Sequence, residues 1–409
     1  MMKKRDYRPK IHFSPEKGWM NDPNGMVYVD GEYHFFYQKY PYDTSWGPMH
    51  WGHATSRDLI HWEHQPIALY PDELGFIFSG SAVYDTQNSS EYGTNENPPI
   101  IAIYTSHHKD GLEQQSIAYS NDKGRHFEKS YLNPVIKNPG ISDFRDPKAF
   151  WNPVRRCWSL VLAAQDRVFF YASQDMKNWE KTGEFGPEGN HVKGVWECPD
   201  LFEIDGQQIM TCCPQGVDQK GYDYQNVYQC GYFPVEFDLK NKSYSFGKFQ
   251  EFDKGFDIYA TQTFADEAGR RILIGWMGIP DADYDNDATV AYDWIHALTM
   301  PRELEWKDGK ILQHPLKEMK DLRKNAFTCE LEAFTKWAPA DCCFELRLDV
   351  EEAKNLELKL REDVTISWKD GLFTLSMGES GRGRKQRFAK VEELSDITIF
   401  SDTSAIEIF

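Results

Sequence analysis

Three acidic residues, far apart in the sequence, stand in short polar motifs that each lead into an apolar segment. Asp22 lies in NDPNG, Asp146 in RDPK and Glu197 in WECPD. Carboxylates that share one pocket repel one another, so one keeps its proton at a pH where another is ionised. An ionised carboxylate that attacks and a protonated one that donates are the pair that cleaves a glycosidic bond. These three residues are therefore the candidate catalytic groups.

Each motif taken alone also has a purely structural interpretation. The sequence DPNG at 22–25 is a favourable turn. Arg145 beside Asp146 is compatible with a surface ion pair, and Glu197 is compatible with a charged residue on an edge strand. Their common position in a repeated unit favours the catalytic interpretation.

The elements that must position these residues repeat five times along the chain. A polar motif, a strand, a turn and a second apolar strand begin at Asn21, Phe78, Arg145, Trp196 and Tyr259, which are 57, 67, 51 and 63 residues apart. Each unit has room for about four strands, the content of one propeller blade. The repeats predict an all-β fold that begins with a five-bladed β-propeller. A β-sandwich with coincidental turns is the alternative.

A second repeated signal lies inside the units. The tripeptides SRD at 56–58, SND at 120–122 and SQD at 173–175 are each followed by an aromatic residue. Ser and Asp side chains accept hydrogen bonds from the backbone of their own turn, so each tripeptide predicts a turn before an outer strand.

The chain divides into three predicted parts. Residues 1–305 form the propeller, residues 306–325 a linker with a short helix, and residues 326–409 an antiparallel β-sandwich, because polar and apolar residues alternate there. The alternation runs up to Phe409, so we expect this sandwich to be incomplete. A homodimer through the sandwich stays open.

Composition excludes several classes of function. The chain has 46 Lys and Arg against 64 Asp and Glu, a net charge of −18, which argues against nucleic acid and anionic membranes as partners. Aromatic residues make up 15% of the chain, which fits the binding of a small carbohydrate. The sequence contains no run of 18 apolar residues, so it predicts no membrane span. Residues 1–10 lack the apolar core of a secretion signal, which predicts a cytoplasmic protein.

The sequence predicts no metal ion or organic cofactor. The eight Cys residues form no CxxC pair, which argues against structural zinc. The acidic run from Asp281 to Asp287 resembles the start of a calcium loop, but it has Asn286 where such a loop needs Gly.

The segments WMNDPNG (19–25), FRDPK (144–148) and WECPDLF (196–202) resemble the three signature segments of the family 32 glycoside hydrolases. This family contains invertases, sucrose-6-phosphate hydrolases, inulinases and levanases. Its fold is a five-bladed propeller followed by a β-sandwich, and its enzymes need no metal or cofactor. The resemblance therefore implies the same architecture that the repeats predict.

The resemblance also implies a role for each matching residue. Asp22 is the nucleophile, Glu197 the acid and base, and Asp146 holds fructose hydroxyls in a retaining mechanism with the two working carboxyls about 5–5.5 Å apart. The implied substrate-binding residues are Asn21, Gln38, Trp46, Phe78, Ser79 and Arg145, with Trp19, Tyr259 and Trp276 as further walls.

The implied function is exo-β-fructofuranosidase activity on terminal non-reducing β-D-fructofuranosides. Sucrose, sucrose-6-phosphate and short fructo-oligosaccharides all stay open as substrates, with His191, Lys193 and Lys220 as candidate phosphate partners. A fructan hydrolase or fructosyltransferase is one alternative, and a catalytically silent sugar-binding propeller is another.

Overall fold

A computed structural model describes residues 6–186, 192–238, 243–330, 337, 339, 342–350 and 353–409. Within these residues the protein is built almost entirely of β-strands, as the repeated strand patterns predict, and short 3₁₀ helices cover Asp287–Tyr292, Lys317–Leu322 and Glu379–Gly381. The second of these lies in the segment that the sequence predicts as helical. No helix in the described ranges is long and apolar enough to cross a membrane.

Five sheets of consecutive strands follow one another along the chain. The first contains β1 (Gly18–Val29), β2 (Glu32–Tyr40), β3 (His50–Ser56) and β4 (Glu63–Leu69). The second contains β5 (Phe76–Tyr84), β6 (Ile100–His107), β7 (Glu113–Ser120) and β8 (Glu128–Lys129). The third contains β9 (Phe144–Asn152), β10 (Cys157–Ala164), β11 (Arg167–Ser173) and β12 (Glu180–Phe185).

The fourth and fifth sheets continue this order. The fourth contains β13 (Lys193–Ile204), β14 (Gln207–Gly216), β15 (Gly231–Asp238), β16 (Ser243–Phe246) and β17 (Gln250–Glu251). The fifth begins with β18 (Tyr259–Ala265) and β19 (Arg271–Trp276). After them β20 (Trp294–Ile295) pairs in parallel with β1 of the first sheet, and β21 (Arg302–Lys307) and β22 (Lys310–Pro315) complete the fifth.

Two smaller antiparallel sheets are formed by the C-terminal part. One contains β23 (Phe344–Asp349), β28 (Asp396–Ser401) and β29 (Ile406–Ile408). The other contains β24 (Asn355–Leu360), β25 (Val364–Lys369), β26 (Leu372–Met377) and β27 (Gln386–Lys390). Their apolar faces share one buried cluster that includes Val364, Ile366, Ile397 and Ile399.

The first strands of the five sheets are neighbours in cyclic order. β1 contacts β5, β5 contacts β9, β9 contacts β13, β13 contacts β18, and β18 contacts β1. Side chains at the same level of these strands therefore face a common space, although they lie far apart in the sequence.

Each of these five strands is irregular at that same level. The pairing register shifts between Met20 and Pro23 in β1, between Ile77 and Gly80 in β5, and between Arg145 and Lys148 in β9. It shifts again after Glu197 in β13 and after Tyr259 in β18. Asp146, Cys198 and Ala260 have φ angles of 63°, 49° and 50°, in the left-handed region. Such bulges break the alternation of side chains and re-aim them, here towards the shared space.

The three predicted Ser-Asp turns are confirmed. The Ser56 hydroxyl accepts the amide of Leu59 at 2.9 Å, and Asp58 accepts the amide of His61 at 2.8 Å. The turn at 120–122 repeats this pattern, and in the turn at 173–175 the Ser173 hydroxyl accepts the Asp175 amide. Trp62, Phe127 and Trp179 follow these turns and pack, partly buried, on the cores.

A buried ionic cluster joins the N-terminal segment and the fifth sheet to the C-terminal strands. His12 lies between two carboxylates, with Nδ1 2.9 Å from Asp402 Oδ2 and Nε2 3.0 Å from Glu407 Oε1. Arg302 Nε donates to Glu407 Oε2 at 2.9 Å. Burial opposes the charge of His12, but its contacts with the two carboxylates outweigh burial and raise its pKa to about 9. The imidazolium therefore holds two parts of the protein together.

We expect His12→Ala to lower the free energy of unfolding by about 3 kcal/mol near neutral pH, because it removes the cation between two buried carboxylates. Glu407 keeps Arg302, and Asp402 keeps the amide of Ile11, so part of the cluster remains. The folded pKa of His12 lies above its ordinary value of 6.5. Its contribution is therefore fully present below pH 6.5 and is lost as the pH rises through about 9. Urea unfolding between pH 6 and pH 10 measures both effects.

His61→Ala is the matched control, because the His61 side chain is 66% exposed and pairs only with Asp58 of its own turn. The control should unfold as the wild type does. Equal stability of His12→Ala and wild type at pH 7 would contradict the proposed importance of the cluster.

Candidate active site

The structure brings Asp22, Asp146 and Glu197 together, from β1, β9 and β13. The Cys198 thiol, next in the chain to Glu197, lies 3.8 Å from Asp22 Oδ2 and 3.6 Å from Asp146 Oδ2. The three carboxylates are close enough that the charge of Glu197 acts on the titration of both aspartates. The sequence-predicted convergence of acidic side chains is therefore present in the structure.

Asp22 is held by two neighbours that the sequence also singled out. Ser79 Oγ donates to Asp22 Oδ2 at 2.6 Å, and Asn21 Nδ2 donates to Asp22 Oδ1 at 2.9 Å. Trp19 Nε1 fixes Asn21 by donating to its Oδ1 at 2.8 Å. Burial raises the pKa of Asp22 to about 6, against the two hydrogen bonds that lower it. The fixed orientation leaves one carboxylate ready to act at neutral pH.

Asp146 is the most deeply buried of the three, with 4% of its surface exposed. Its Oδ2 accepts the backbone amide of Cys198 at 2.9 Å, and its own amide donates to Thr105 Oγ1 at 3.0 Å. Burial raises the pKa of Asp146; Arg145 opposes this effect, and the charges of Glu197 and Asp22 add to it. Backbone contacts thus fix Asp146 at the bottom of the site.

Glu197 accepts hydrogen bonds on both carboxylate oxygens. Arg145 donates to Oε1 through Nε at 3.1 Å and Nη2 at 2.9 Å. Gln215 Nε2 and the Tyr259 hydroxyl both donate to Oε2 at 2.7 Å. Burial, together with the charge of Glu197, raises the pKa of Tyr259, so that this phenol stays neutral and donates. Both carboxylate oxygens of Glu197 are therefore occupied by donors from the protein itself.

Arg145 supplies the positive charge at the centre of the site, and three carboxylates share it. Besides Glu197, it contacts Glu113 at 3.2 Å and Asp143 at 2.7 Å through Nη1. Glu113 in turn accepts the backbone amide of Phe144 at 2.9 Å, next to Arg145. The charge of Arg145 is therefore committed within the protein.

Aromatic rings surround the carboxylates. The His296 ring contacts Trp19 and Trp276, with centroid distances of 4.5 and 5.0 Å, and the two tryptophans contact each other at 6.5 Å. Burial lowers the pKa of His296 to about 4, so this ring is uncharged. On another side Phe78 stacks on His107 at 4.1 Å and contacts Trp46 at 6.1 Å. These faces form apolar walls around a polar floor.

Two buried donors of the predicted site have no hydrogen-bond partner among the described residues: Gln38 Nε2 and Trp276 Nε1. Gln38 lies in β2 opposite the irregular segment of β1 that carries Asp22. Trp276 pairs with Tyr259 across β18 and β19. An unsatisfied buried donor costs about 1–3 kcal/mol, so both positions are suited to hydroxyls of a ligand.

Sequence reasoning missed four contributors to the site. Cys198 lies in WECPD, the motif that indicated Glu197, and Gln215 lies in β14, which follows that motif. Glu113 and His296 lie outside the repeated motifs, and no sequence signal indicated them. The candidate phosphate partners stay a prediction of the sequence: Lys193 is exposed, Lys220 lies in an exposed turn, and His191 is outside the described residues.

Comparisons with known proteins identify relatives along most of the chain. A sequence model of the glycosyl hydrolases family 32 N-terminal domain matches residues 12–315. Levanase of Bacillus subtilis is 47% identical over 78% of this chain, which spans 48% of that protein, about half its length. Sucrose-6-phosphate hydrolase of Bacillus subtilis is 32% identical over 98% of this chain and 86% of that protein. The solved structure of a GH32 beta-fructofuranosidase from Bombyx mori superposes with a TM-score of 0.83 at 32% identity, covering 99% of this chain and 87% of that one.

We expect Asp22→Asn to stabilise the folded protein. The folded pKa of Asp22 lies above its ordinary value of 3.8, so its ionised form weakens the fold as the pH rises from 3.8 to about 6. Because Asp22 retains some solvent contact, we expect the gain in the free energy of unfolding to be about 1–2 kcal/mol at pH 7.5. Denaturant unfolding at pH 7.5 and pH 4 tests this, and the gain should be absent at pH 4.

Asp30→Asn, in the exposed turn after β1, is the control. It breaks only an exposed ion pair with Lys123, so stability should change by less than about 1 kcal/mol at either pH value. A loss of stability in Asp22→Asn at pH 7.5 would show that the hydrogen bonds of Asp22 outweigh its charge repulsion.

Proposed function

The chain belongs to the glycosyl hydrolases family 32, and from this membership we propose that it is a retaining exo-acting β-fructofuranosidase. The observation that carries the proposal is the meeting of Asp22 and Glu197 beside one thiol, with Arg145 between Glu197 and further acids. A glycoside hydrolase needs a nucleophile and a proton donor within reach of one bond.

In the proposed mechanism, Asp22 attacks the anomeric carbon of a terminal fructose and Glu197 protonates the departing oxygen. The hydrogen bonds from Ser79 and Asn21 aim the attacking carboxylate. Glu197 then takes a proton from a water molecule, whose oxygen attacks the anomeric carbon and breaks the bond to Asp22. Fructose leaves with its anomeric configuration retained, because the carbon has been attacked twice. Asp146 accepts fructose hydroxyls, and Gln38 and Trp276 donate to others through their unpaired nitrogens.

Substrate binding also frees the proton donor in this proposal. Tyr259 and Gln215 occupy Glu197 Oε2 in the protein without substrate. The sugar takes over at least one of these donors, so that Oε2 faces the glycosidic oxygen. Phe78 and the exposed Trp46 contact the leaving sugar unit, and Trp19 forms the opposite wall.

We further propose that the five consecutive sheets are the blades of a propeller, and that the two C-terminal sheets are a β-sandwich. The cyclic contacts of the five first strands support the ring, and the shared apolar cluster supports the sandwich. The boundaries at 305 and 325, the homodimer and the cytoplasmic location stay predictions of the sequence.

The substrate is a sucrose-type β-fructoside in this proposal. The relatives named sucrose-6-phosphate hydrolase and the beta-fructofuranosidase structure support a disaccharide, and the levanase likeness supports a fructan. Release of fructose and glucose from sucrose by the purified protein is the direct test.

We expect Asp22→Asn and Glu197→Gln each to lower kcat/KM on sucrose by at least about a thousandfold, because each removes one of the two chemical groups. A fructosyl fluoride, whose leaving group needs no proton, distinguishes the two roles. Glu197→Gln should still release fluoride in a burst, while Asp22→Asn should not.

Glu203→Gln is the control, since Glu203 is an exposed residue of the same strand as Glu197. Its kinetics should match the wild type. Sucrose hydrolysis at wild-type rates by either active-site variant would refute the role assigned to that residue.

We expect kcat/KM to fall below about pH 6, because burial raises the pKa of Asp22 to about 6 and the attacking carboxylate must be ionised. Ser79→Ala removes a hydrogen bond that lowers this pKa. The acid limb should therefore move to higher pH, by about half a pH unit to one unit.

A pH profile of kcat/KM on sucrose measures this shift. Ser142→Ala, which changes an exposed serine, should keep the wild-type profile. An acid limb in Ser79→Ala at or below the wild-type position would show that Ser79 does not stabilise the ionised nucleophile.

A further inference from the structure

Aromatic rings lie beyond the pocket at one end of the first sheet, where its strands begin or finish. The register pairs Trp19 with Tyr40 and Lys39 with His50, so the start of β1, the end of β2 and the start of β3 lie side by side at this end. Trp51 pairs with Leu69, which brings the end of β4 and the following Tyr70 to the same end. Because Asp22 lies near the start of β1, this end of the sheet is also the rim of the candidate active site.

The rings at this rim fall into two groups that meet at Gly47, and the first group starts beside Asp22. Ser79, which donates to Asp22, follows Phe78, and Phe78 contacts Trp46. The ring of Tyr40 packs on Gly47, next to Trp46, so closely that a methyl group there would lie 2.6 Å from it. From Tyr40 the contacts continue outwards through Tyr42, His50 and Tyr70, at centroid distances of 5.7, 5.9 and 5.4 Å. We call Trp46, Tyr40, Tyr42, His50 and Tyr70 the aromatic ridge.

The ridge is open to solvent at three places. Tyr42 is 73% exposed, and Trp46 and Tyr70 are each 52% exposed. Large aromatic side chains normally bury most of their surface, so a row of exposed rings that continues from a pocket indicates a ligand-binding surface.

The charges beside the ridge favour a neutral ligand. Lys129 donates to the carbonyl of Tyr70 but is paired with Asp72 at 2.6 Å, and Lys39 is buried. Asp43, beside Tyr42, accepts the amide of Thr44 in its own turn. Flat apolar faces without a free cation suit sugar rings and do not suit a phosphate group.

We propose that the aromatic ridge binds the trailing sugar units of a fructan chain whose terminal fructose lies over Asp22. This inference rests on the proposed function and deepens it, because it names a neutral oligomeric fructoside as the substrate class. The pocket holds the unit that is cleaved, and stacking on Tyr42 and Tyr70 adds affinity only for chains long enough to reach them.

Tyr42→Ala/Tyr70→Ala, a double variant, tests the ridge with sucrose and levan as substrates. The ratio of kcat/KM on levan to kcat/KM on sucrose should fall about tenfold, mainly through KM on levan. Tyr42→Phe/Tyr70→Phe keeps the rings and should keep the ratio. Tyr131→Ala, which removes a more exposed tyrosine outside the ridge, should also keep it. An unchanged ratio in the alanine variant would overturn the proposal.

Binding without turnover separates the ridge from the chemistry. Asp22→Asn protein should be retarded in a native gel that contains levan, and adding the two alanine substitutions should abolish the retardation. Equal retardation would refute the ridge even if sucrose hydrolysis is observed. Absence of any fructose release by the wild type would refute the proposed function, while the gel still decides on the ridge. A change in oligomeric mass with unchanged levan binding would identify the ridge as a contact between copies of this chain.

Discussion

The repulsion between buried carboxylates is the constraint on which the rest of this structure depends. Asp22, Asp146 and Glu197 meet in one space, where burial raises the pKa of both aspartates and the charge of Glu197 raises it further. The protein offsets this cost with directed donors: Ser79 and Asn21 on Asp22, a backbone amide on Asp146, and Arg145, Gln215 and Tyr259 on Glu197. The same contacts that make the cluster tolerable also orient it, which is the preorganisation that catalysis requires.

Strand irregularities give this cluster its geometry. A regular strand alternates its side chains, so neighbouring residues such as Arg145 and Asp146 would face opposite sides of a sheet. The register shifts and left-handed residues at one level of five strands allow both to take part in the site. This distortion needs rigid surroundings, which the cyclic contacts of the five sheets supply. The buried His12 cluster ties the C-terminal strands to the same body from another side.

Recognition of a sugar combines two kinds of surface in this account. The pocket offers polar groups whose partners are fixed, together with two donors that still lack one. The rim offers uncharged aromatic faces. Under the proposed function, the pocket selects the reacting unit by hydrogen bonds and the aromatic ridge selects by chain length, since stacking area grows with each sugar unit. On that proposal, discrimination among fructosides of different length comes from the ridge and not from the carboxylates.

The sequence by itself determined the all-β class, the Ser-Asp turns and the identity of the three acidic residues, because each depends on local residue patterns that recur along the chain. Family membership, indicated by the three motifs, is confirmed by the comparisons. Only the tertiary structure decided that Glu113 shares Arg145, that His296 contacts two tryptophans, and that Cys198 lies between two aspartates. These contacts join residues from different sheets, or from loops without a motif. The number of residues between two such positions in the sequence does not indicate how far apart they lie in the structure.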